Sequence, residues 1–276
     1  MQLSPERVVT AAERATYQRD GVVCLRGLLD DRWITHLRGA VEHALSHPGK
    51  LARNTAAEAG KTGVFHNEVF LWKNHPGFRQ FIEDSPIAAV AAQLMASQTV
   101  RLYNDHLLVK EPGTDTPTPW HQDGVYFQLS GDQIISIWIG LDPVRRETGA
   151  MSFVTGSHRA GKMYRPVTFA TGAATASDAF DGPLPDIDAD PVAYPTVCHE
   201  MDPGDVTFHH ALTLHGSQGN ASPSTRRRGY AIRMTGDDVR WLSRKFSSTG
   251  IGSAEVRDGE PLRGAEFPAL WPKEPA

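Results

Sequence analysis

The sequence predicts an α+β protein, because its helical and strand-like patterns occupy different parts of the chain. Apolar residues recur at intervals of three and four along much of residues 1–98, which is typical of amphipathic helices. Residues 99–235 contain short apolar runs that are typical of strands, and residues 236–276 have few periodic signals. We expect one domain spanning residues 1–276, with its C-terminal segment wrapped around the strands.

The first elements are predicted to be a helix and a buried strand. Ser4 is a candidate N-terminal cap with a proline directly after it. The helix is expected to run to about Arg19 and to end at Gly21, because glycine commonly terminates helices. Residues 22–25, with the sequence VVCL, then form a strand.

A second helix is predicted after Asp30, and its apolar residues share one face: Trp33, Ile34, Leu37, Val41 and Leu45. Residues 50–63 are polar and lack periodicity, which predicts a loop. Residues 64–72 are aromatic and extended in character. Residues 76–97 are expected to form two helices divided just before Pro86, because proline suits the first turn of a helix.

The second part of the chain contains the predicted strands, at residues 100–110, 134–141, 151–154, 206–210 and 230–234. Residues 159–195 interrupt this series and are rich in Pro, Gly, Asp and Ala. Long irregular segments of this kind are usually lids or disordered segments. Because such a composition offers little apolar surface to bury, we expect residues 159–195 to be among the least stable parts of the fold.

The composition excludes several classes of function. The chain has 40% hydrophobic and 22% charged residues, as ordinary globular proteins do. A net charge of −4 and a pI of about 6.3 argue against a nucleic-acid partner, which needs a basic face. The sequence contains no apolar run long enough to predict a membrane span. The N-terminus lacks the basic and apolar blocks of a signal peptide. Cys24 and Cys198 give no disulfide framework, so we expect a reducing cytoplasm. The oligomeric state is left open.

One pattern carries metal chemistry: His121 and Asp123 are separated by a single residue. On a strand or strand end, such residues project to the same face. A second histidine, for which His215 is the candidate, would complete the 2-His-1-carboxylate set that binds non-haem Fe(II) and leaves positions open. The cations of Arg226-Arg227-Arg228, about a dozen residues further on, suit a dicarboxylate co-substrate.

The chain resembles the phytanoyl-CoA hydroxylase-type Fe(II)/2-oxoglutarate dioxygenases over nearly all of its length. Besides the two ligand motifs, four stretches carry the resemblance: Tyr17-Gln18-Arg19-Asp20-Gly21, Lys110-Glu111-Pro112-Gly113, Gly149-Ala150-Met151 and Thr155-Gly156-Ser157-His158. The resemblance implies a mainly β fold, a double-stranded β-helix or jelly roll, with the N-terminal helices packed on one sheet. It also implies a metal at the mouth, between the sheets.

The resemblance selects among rival ligands. His209 and His210 are alternatives to His215, but the family ligand stands in His-Gly-Ser with an asparagine five residues later, as Asn220 does here. The metal ligands are then His121, Asp123 and His215.

The resemblance also indicates which residues surround the 2-oxoglutarate. The usual interval from His215 to the arginine gives Arg226, whereas alignment on the following strand gives Arg227, which we favour. Trp138, Ser217 and His106 are implied to lie beside the co-substrate. Lys110 is either a structural cation or a group behind the ligands, and the sequence does not decide.

The implied reaction uses Fe(II), O₂ and 2-oxoglutarate and releases succinate and CO₂ while a C–H bond of a small or mid-sized metabolite is hydroxylated. Asp123 favours hydroxylation or another oxidation, because a halogenating relative would need a small residue there. The residues expected to line the substrate pocket, with residues 159–195, are Phe65, His66, Trp72, Tyr126 and Phe127. The alternatives are a metal- or ligand-binding jelly roll without turnover, and an isomerase or lyase on a similar barrel, which would not explain the arginine.

Overall fold

The structure is a computed structural model that describes residues 7–175, 179–244 and 255–273. The helices within these ranges are α1 (Ala11–Asp20), α2 (Asp31–Ser46), α3 (Thr55–Glu58), α4 (Leu71–Asn74), α5 (Pro76–Asp84) and α6 (Ile87–Met95). The strands are β1 (Val22–Leu25), β2 (Arg53–Asn54), β3 (Phe65–Val69), β4 (Val100–Lys110), β5 (Thr118–His121), β6 (Leu129–Ser130), β7 (Ile134–Gly140), β8 (Met151–Val154), β9 (Thr196–Cys198), β10 (Val206–His210), β11 (His215–Ser217), β12 (Arg227–Thr235), β13 (Arg240–Trp241) and β14 (Ala269–Trp271). Short 3-10 helices occur at Gly124–Tyr126, Arg146–Thr148 and Ser157–Ala160.

Antiparallel pairing organises these strands into two main sheets. The larger sheet has the order β1-β10-β7-β12-β4-β3-β2, with β14 also paired to β4. The second sheet has the order β5-β11-β8-β9, and β13 pairs with β6 separately. The strands do not close into one barrel in the part of the chain that the structure describes. The prediction of a mainly β fold with two antiparallel sheets and N-terminal helices is confirmed.

The N-terminal helices cover one face of the larger sheet. The alternation of β7 shows how: Ile135, Ile137 and Ile139 belong to the core shared with the helices, whereas Ser136 and Trp138 face the other sheet. The helices contribute the apolar stripes that the sequence predicts, including Trp33, Ile34, Leu37 and Val41 of α2 and Phe78, Phe81 and Ile82 of α5. Burying each such side chain stabilises the fold by about 1.5–3 kcal/mol.

The first helix begins later than predicted. Thr10, not Ser4, is its cap: the Thr10 side chain accepts from the Glu13 amide while the Glu13 carboxylate accepts from the Thr10 amide. This reciprocal capping box is a stronger start signal than a lone serine before proline. Ser4 itself lies outside the described residues. The predicted end is confirmed, because Gly21 caps the helix with a φ of 75°.

Two other segments differ from prediction. Residues 50–63, expected to be a loop, contain β2 and α3. The extended segment at residues 64–72 ends early: Phe70 has a φ of 62°, and α4 starts directly after it. Trp72 is therefore helical and packs in the core of the helical layer. No helix among the described residues is long and apolar enough to cross a bilayer.

Two of the sequence motifs meet at Gly21. The Gly156 amide donates to the Asp20 carbonyl (2.8 Å), and the Thr213 hydroxyl donates to the Gly21 carbonyl (2.9 Å). A Cβ added at Gly21 would lie 2.4 Å from both His158 and Thr213. The turn after α1 therefore packs directly against the segment that leads into β11.

Gly21→Ala is expected to lower the free energy of unfolding by about 2–5 kcal/mol, because left-handed strain of about 1–2 kcal/mol adds to overpacking of about 1–3 kcal/mol. Gly27→Ala is the matched control: Gly27 has a φ of 58°, but apart from its chain neighbours no described residue lies within 4 Å of its added Cβ. Only the strain should remain there. Chemical denaturation of both variants measures the difference, and equal losses would contradict a role for the contacts around Gly21.

Candidate metal centre

Strand register brings His121 and His215 together. His121 ends β5, His215 begins β11, and the two residues are direct partners in the antiparallel pair. Their ring centroids lie 4.1 Å apart. The Nδ1 atom of His121 donates to the Pro119 carbonyl (2.8 Å), and that of His215 donates to the Thr213 carbonyl (2.9 Å). Because a carbonyl can only accept, Nδ1 carries a proton in both rings, and the Nε2 atoms, which face the same point, are the atoms that a neutral ring offers to a metal.

Asp123 reaches this point by a different route from the one predicted. It lies beyond the end of β5, has helical φ and ψ of −66° and −42°, and precedes the 3-10 helix Gly124–Tyr126. The predicted alternation along a strand is therefore wrong for this residue, because a tight turn returns the carboxylate to the imidazoles. Its Oδ1 atom lies 3.6 Å from His121 Nε2 and 4.0 Å from His215 Nε2.

These three side chains form a group that could hold a metal ion. One ligand atom from each lies within 4.8 Å of the others, and all three residues are buried. Burial, followed by the neighbouring imidazoles of His121 and His209, lowers the pKa of His215 well below its usual value, which favours the neutral form that binds metals. Two neutral imidazoles and one carboxylate fit non-haem Fe(II).

The Asp123 carboxylate is held in its ionised form. Burial alone would raise its pKa, but the Arg233 guanidinium, together with contacts from His121, His209 and His215, lowers the pKa well below its usual value. The carboxylate is thus a ready ligand in the absence of any metal.

The two rival histidines have different surroundings. His210 Nε2 donates to the Asp132 carbonyl (2.8 Å), and its ring lies 5.2 Å from that of His158. His209 remains beside the site, with its Nε2 atom 3.5 Å from Asp123 Oδ2 and its ring 4.5 Å from that of His215. Neither ring nitrogen of His209 has a hydrogen-bond partner among the residues that the structure describes.

A cavity between the two sheets opens beside the triad. Besides the triad and His209, its walls are formed by Leu108, Thr118, Trp138, Met151, Phe169, Gly216, Ser217, Arg227, Ala231 and Arg233. Trp138, Ser217 and Arg227 therefore lie where the sequence analysis expects the co-substrate. His106 is buried nearby, does not line the cavity, and donates from Nε2 to Asn67 Oδ1 (2.7 Å).

Arg226 and Arg227 occupy opposite environments. Arg226 pairs with Glu111 (2.8 Å) and Glu42 (3.1 Å) and is partly exposed. Arg227 is 2% exposed, stacks over the Trp138 ring at 5.5 Å, and has no carboxylate within ion-pair distance among the described residues. Burial lowers the pKa of Arg227 to about 10. A buried guanidinium is costly without a counter-ion, and its geometry suits a carboxylate.

Lys110 is a buried amine that contacts the cavity wall at Ser217 without lining the cavity itself. It is the strand partner of Arg227, and its Nζ atom donates to the Ser217 hydroxyl (3.1 Å) and the Gln218 carbonyl (2.7 Å). Burial, and then the charge of Arg227, lower its pKa well below the usual value. Within the described ranges no carboxylate pairs with it. The sequence left this residue undecided, because its partner lies more than a hundred residues away.

The predicted substrate-pocket residues are scattered. Tyr126 is near the triad, with its ring 6.1 Å from that of His121. Phe127 packs with Tyr103 in a separate apolar cluster. The other three also lie off the cavity wall: Phe65 lies under Lys110, His66 pairs with Glu68, and Trp72 lies in the helical core.

The sequence analysis did not single out Phe169 or Gln122. The Phe169 ring lies 4.7 Å from that of His121, edge on, within the segment at residues 159–195. Gln122, between the two ligands, donates to the Lys162 and Leu212 carbonyls (2.9 and 2.8 Å) and accepts from the Tyr164 amide. It ties that segment to the turn before β11. Its place inside His-Gln-Asp was the one available signal.

The fold and the site can be compared with known proteins. The family model described as phytanoyl-CoA dioxygenase (PhyH) matches residues 17–229. The chain belongs to the phytanoyl-CoA dioxygenase family. Members of this family are thus its relatives, and the likeness includes both ligand motifs and the segment that carries Arg227.

Curated relatives and solved structures agree with this assignment. A probable alpha-ketoglutarate-dependent hypophosphite dioxygenase of Stutzerimonas stutzeri is 32% identical over 133 residues, 47% of this chain and 43% of that protein. The match therefore spans less than half of that relative. A 1-deoxypentalenic acid 11-beta-hydroxylase of Streptomyces arenae is 29% identical over 75% of this chain and 73% of its own length.

A solved structure gives the same fold. The epimerase SnoN from nogalamycin biosynthesis, crystallised with Fe³⁺, alpha ketoglutarate and nogalamycin RO, is 25% identical with a TM-score of 0.74. The comparison covers 94% of this chain and 97% of SnoN. The fold is thus one that holds iron and 2-oxoglutarate (alpha ketoglutarate) in that neighbour.

His215→Ala is expected to abolish Co(II) or Fe(II) binding, measured by anaerobic titration calorimetry, because it removes one of three ligand atoms. His209→Ala should weaken binding by no more than about tenfold, the lower end of the losses seen for groups outside the ligand set. Thermal unfolding of both metal-free variants checks that the fold is intact. Normal binding by His215→Ala, with loss in His209→Ala, would show that His209 is the ligand.

Proposed function

We propose that this chain is an Fe(II)- and 2-oxoglutarate-dependent oxygenase that hydroxylates a C–H bond of a small or mid-sized metabolite and releases succinate and CO₂. In this proposal His121, Asp123 and His215 hold the iron. The observation that carries it is the lining of one cavity: a donor set for Fe(II) shares the wall with the buried guanidinium of Arg227, which has no carboxylate within ion-pair distance among the described residues. A 2-oxo dicarboxylic acid has one group for the metal and one for the guanidinium.

The residues around the cavity suit this division of roles. The Arg227 guanidinium is planar and can hold the far carboxylate through two parallel hydrogen bonds. Lys110 and Ser217 stand beside it, and Trp138 supplies a flat wall. Gly229 leaves room for that wall, because a Cβ there would lie 2.6 Å from the Trp138 ring. Iron, when bound, supplies the activation of O₂ and the oxidative chemistry, and the protein supplies position and shielding.

The alternatives account for fewer of these features. A jelly roll that binds a metal without turnover has no need of a buried Arg227 on the same cavity wall as the triad, without a carboxylate partner among the described residues. An isomerase or lyase leaves the same cation unexplained. Hydroxylation is favoured among oxidations because the Streptomyces arenae relative is named as a hydroxylase. We also propose the cytoplasm as the compartment, because Cys24 and Cys198 are not joined in a disulfide.

The direct test is anaerobic titration of the protein with Fe(II) and then 2-oxoglutarate, followed by the visible charge-transfer band of the chelate. The band should form with one equivalent of each. A screen of candidate metabolites for substrate-stimulated succinate release would then identify the substrate. Absence of the band in correctly folded protein would contradict the proposal.

Arg227→Ala is expected to raise the 2-oxoglutarate concentration needed for half-formation of this band by about two to three orders of magnitude. The reason is that removing one partner of a buried ion pair costs about 3–5 kcal/mol, at about 1.4 kcal/mol per tenfold. Arg226→Ala is the matched control and should change the requirement little, since Arg226 pairs with surface carboxylates. The reverse result would assign the co-substrate to Arg226.

The segment at residues 159–195 is proposed to shield the cavity, but only in part. Phe169 lies on the cavity wall, and the Tyr126 hydroxyl donates to the Val167 carbonyl (2.6 Å). Residues further along pack against the second sheet, where Leu184, Ile187 and Tyr194 form an apolar cluster with other residues. The expectation that this segment buries little apolar surface is therefore wrong for its second half.

Hydrogen exchange should separate the two halves. Residues 163–175 are expected to exchange more slowly once 2-oxoglutarate and substrate are bound than with iron alone, because closing over the cavity adds protection to their amides. Residues 184–194 serve as the internal control and should exchange equally in both states. Unchanged exchange in residues 163–175 would mean that another part of the chain closes the cavity.

A further inference from the structure

Four polar side chains lie at one level across four adjacent strands of the larger sheet. Strand register pairs Asn104 of β4 with Arg233 of β12, Arg233 with Ser136 of β7, and Ser136 with His209 of β10. None of the four is more than 7% exposed. Three of them converge on Asp123, and none of their roles follows from the function proposed above.

The two oxygens of Asp123 have different surroundings. Oδ1 is the oxygen nearest the imidazoles of His121 and His215, at 3.6 and 4.0 Å from their Nε2 atoms. Oδ2 accepts a hydrogen bond of 2.6 Å from the Ser136 hydroxyl and lies 3.3 Å from both Nε and Nη2 of Arg233. The Arg233 Nη2 atom also contacts Oδ1 at 3.2 Å. The Ser136 contact, the shortest of these, is made by Oδ2 alone.

We propose that Ser136 and Arg233 are positioning residues for Asp123: Ser136 holds Oδ2 while Arg233 spans both oxygens, so that the carboxylate binds the metal through Oδ1 alone. This inference rests on the metal site proposed above. A metal held by three protein ligands would keep positions open for a 2-oxo acid and O₂. A carboxylate that turned and bound through both oxygens would leave fewer of these positions open.

Charge gives Arg233 a second effect on the same atom. Its guanidinium forms a buried ion pair with Asp123 and has no other carboxylate partner in the described parts of the chain. Because the pair has no net charge, the Asp123 carboxylate would donate less electron density to a bound metal than a carboxylate without a neighbouring cation would. An ion pair that only stabilised the fold would not need to lie on the cavity wall or to include a candidate metal ligand. The Arg233–Asp123 pair does both.

The test uses the spectra of the anaerobic protein with Fe(II) and 2-oxoglutarate. In Arg233→Met the chelate band should move to longer wavelength, because iron becomes richer in electrons when the cation is removed. Nitric oxide binds Fe(II) where O₂ would, and its adduct gives a signal in electron paramagnetic resonance. In Arg233→Met this signal should be about tenfold smaller than in the wild type, the lower end of the losses seen when a group that contacts a metal ligand is replaced. The concentration of 2-oxoglutarate for half-formation should stay within about threefold, since Arg227 is untouched.

Three further variants make the result decisive. Arg233→Lys keeps the charge and should return the band towards its wild-type position. Ser136→Ala should lower the nitric oxide signal in the same direction as Arg233→Met and carries the test if Arg233→Met does not fold. Arg101→Met is the matched control, because Arg101 donates to the Phe267 carbonyl and does not line the cavity, and its spectra should be unchanged.

The possible outcomes separate cleanly. Wild-type spectra in both Arg233→Met and Ser136→Ala would overturn the inference, and so would an equal shift in Arg101→Met. A loss of unfolding free energy in Arg233→Met with unchanged spectra would assign Arg233 a structural role only. If the wild-type protein forms no chelate band at all, the proposed function fails, which is a different result.

Discussion

The antiparallel pairing of β5 with β11 places two imidazoles side by side, and the rest of the site is arranged around that pair. The Nδ1 atom of each ring donates a hydrogen bond to the backbone carbonyl two residues earlier in the chain. Both Nε2 atoms therefore point into the space between the sheets. Asp123 completes the group because the chain turns immediately after β5. The metal centre therefore needs only one strand pair and one turn, and the larger sheet provides its opposite wall.

Charge is distributed unevenly along the cavity. Near the triad, Asp123 and Arg233 neutralise each other, whereas Arg227, elsewhere on the cavity wall, has no carboxylate within ion-pair distance among the described residues. A buried charge without a partner is costly, so an anion bound beside Arg227 would offset that cost. In the proposed function this cost favours a dicarboxylate over a neutral ligand. Arg226, one residue away, is removed from this role by Glu42 and Glu111 on the surface.

The parts remote from the metal act mainly through support. The helices bury the outer face of the larger sheet, which fixes the level at which Ser136, Trp138 and Arg233 face inwards. Gly21 closes α1 against the turn before β11, where Thr213 also holds the His215 ring. Gln122 connects the same turn to the long segment at residues 159–195. Both N-terminal and loop segments are consequently connected to the candidate ligands through side chains that donate to backbone carbonyls.

The sequence by itself determined the features that depend on local pattern. Apolar spacing of three and four residues predicted α2, α5 and α6, and apolar runs predicted β4, β7, β10 and β12. The two motifs singled out His121, Asp123 and His215, which the fold brings together.

Tertiary structure decided what depends on contacts between distant segments. The register of β12 pairs Arg227 with Lys110, whereas Arg226 lies just before the strand. A turn after β5, and not the alternation of side chains along a strand, orients Asp123. Contacts of Ser136 and Arg233 with Asp123, of Phe169 with His121, and of Lys110 with Ser217 join residues on different strands and loops. Periodicity in a sequence reports which face a residue occupies, but pairing between strands sets which residues on that face become neighbours.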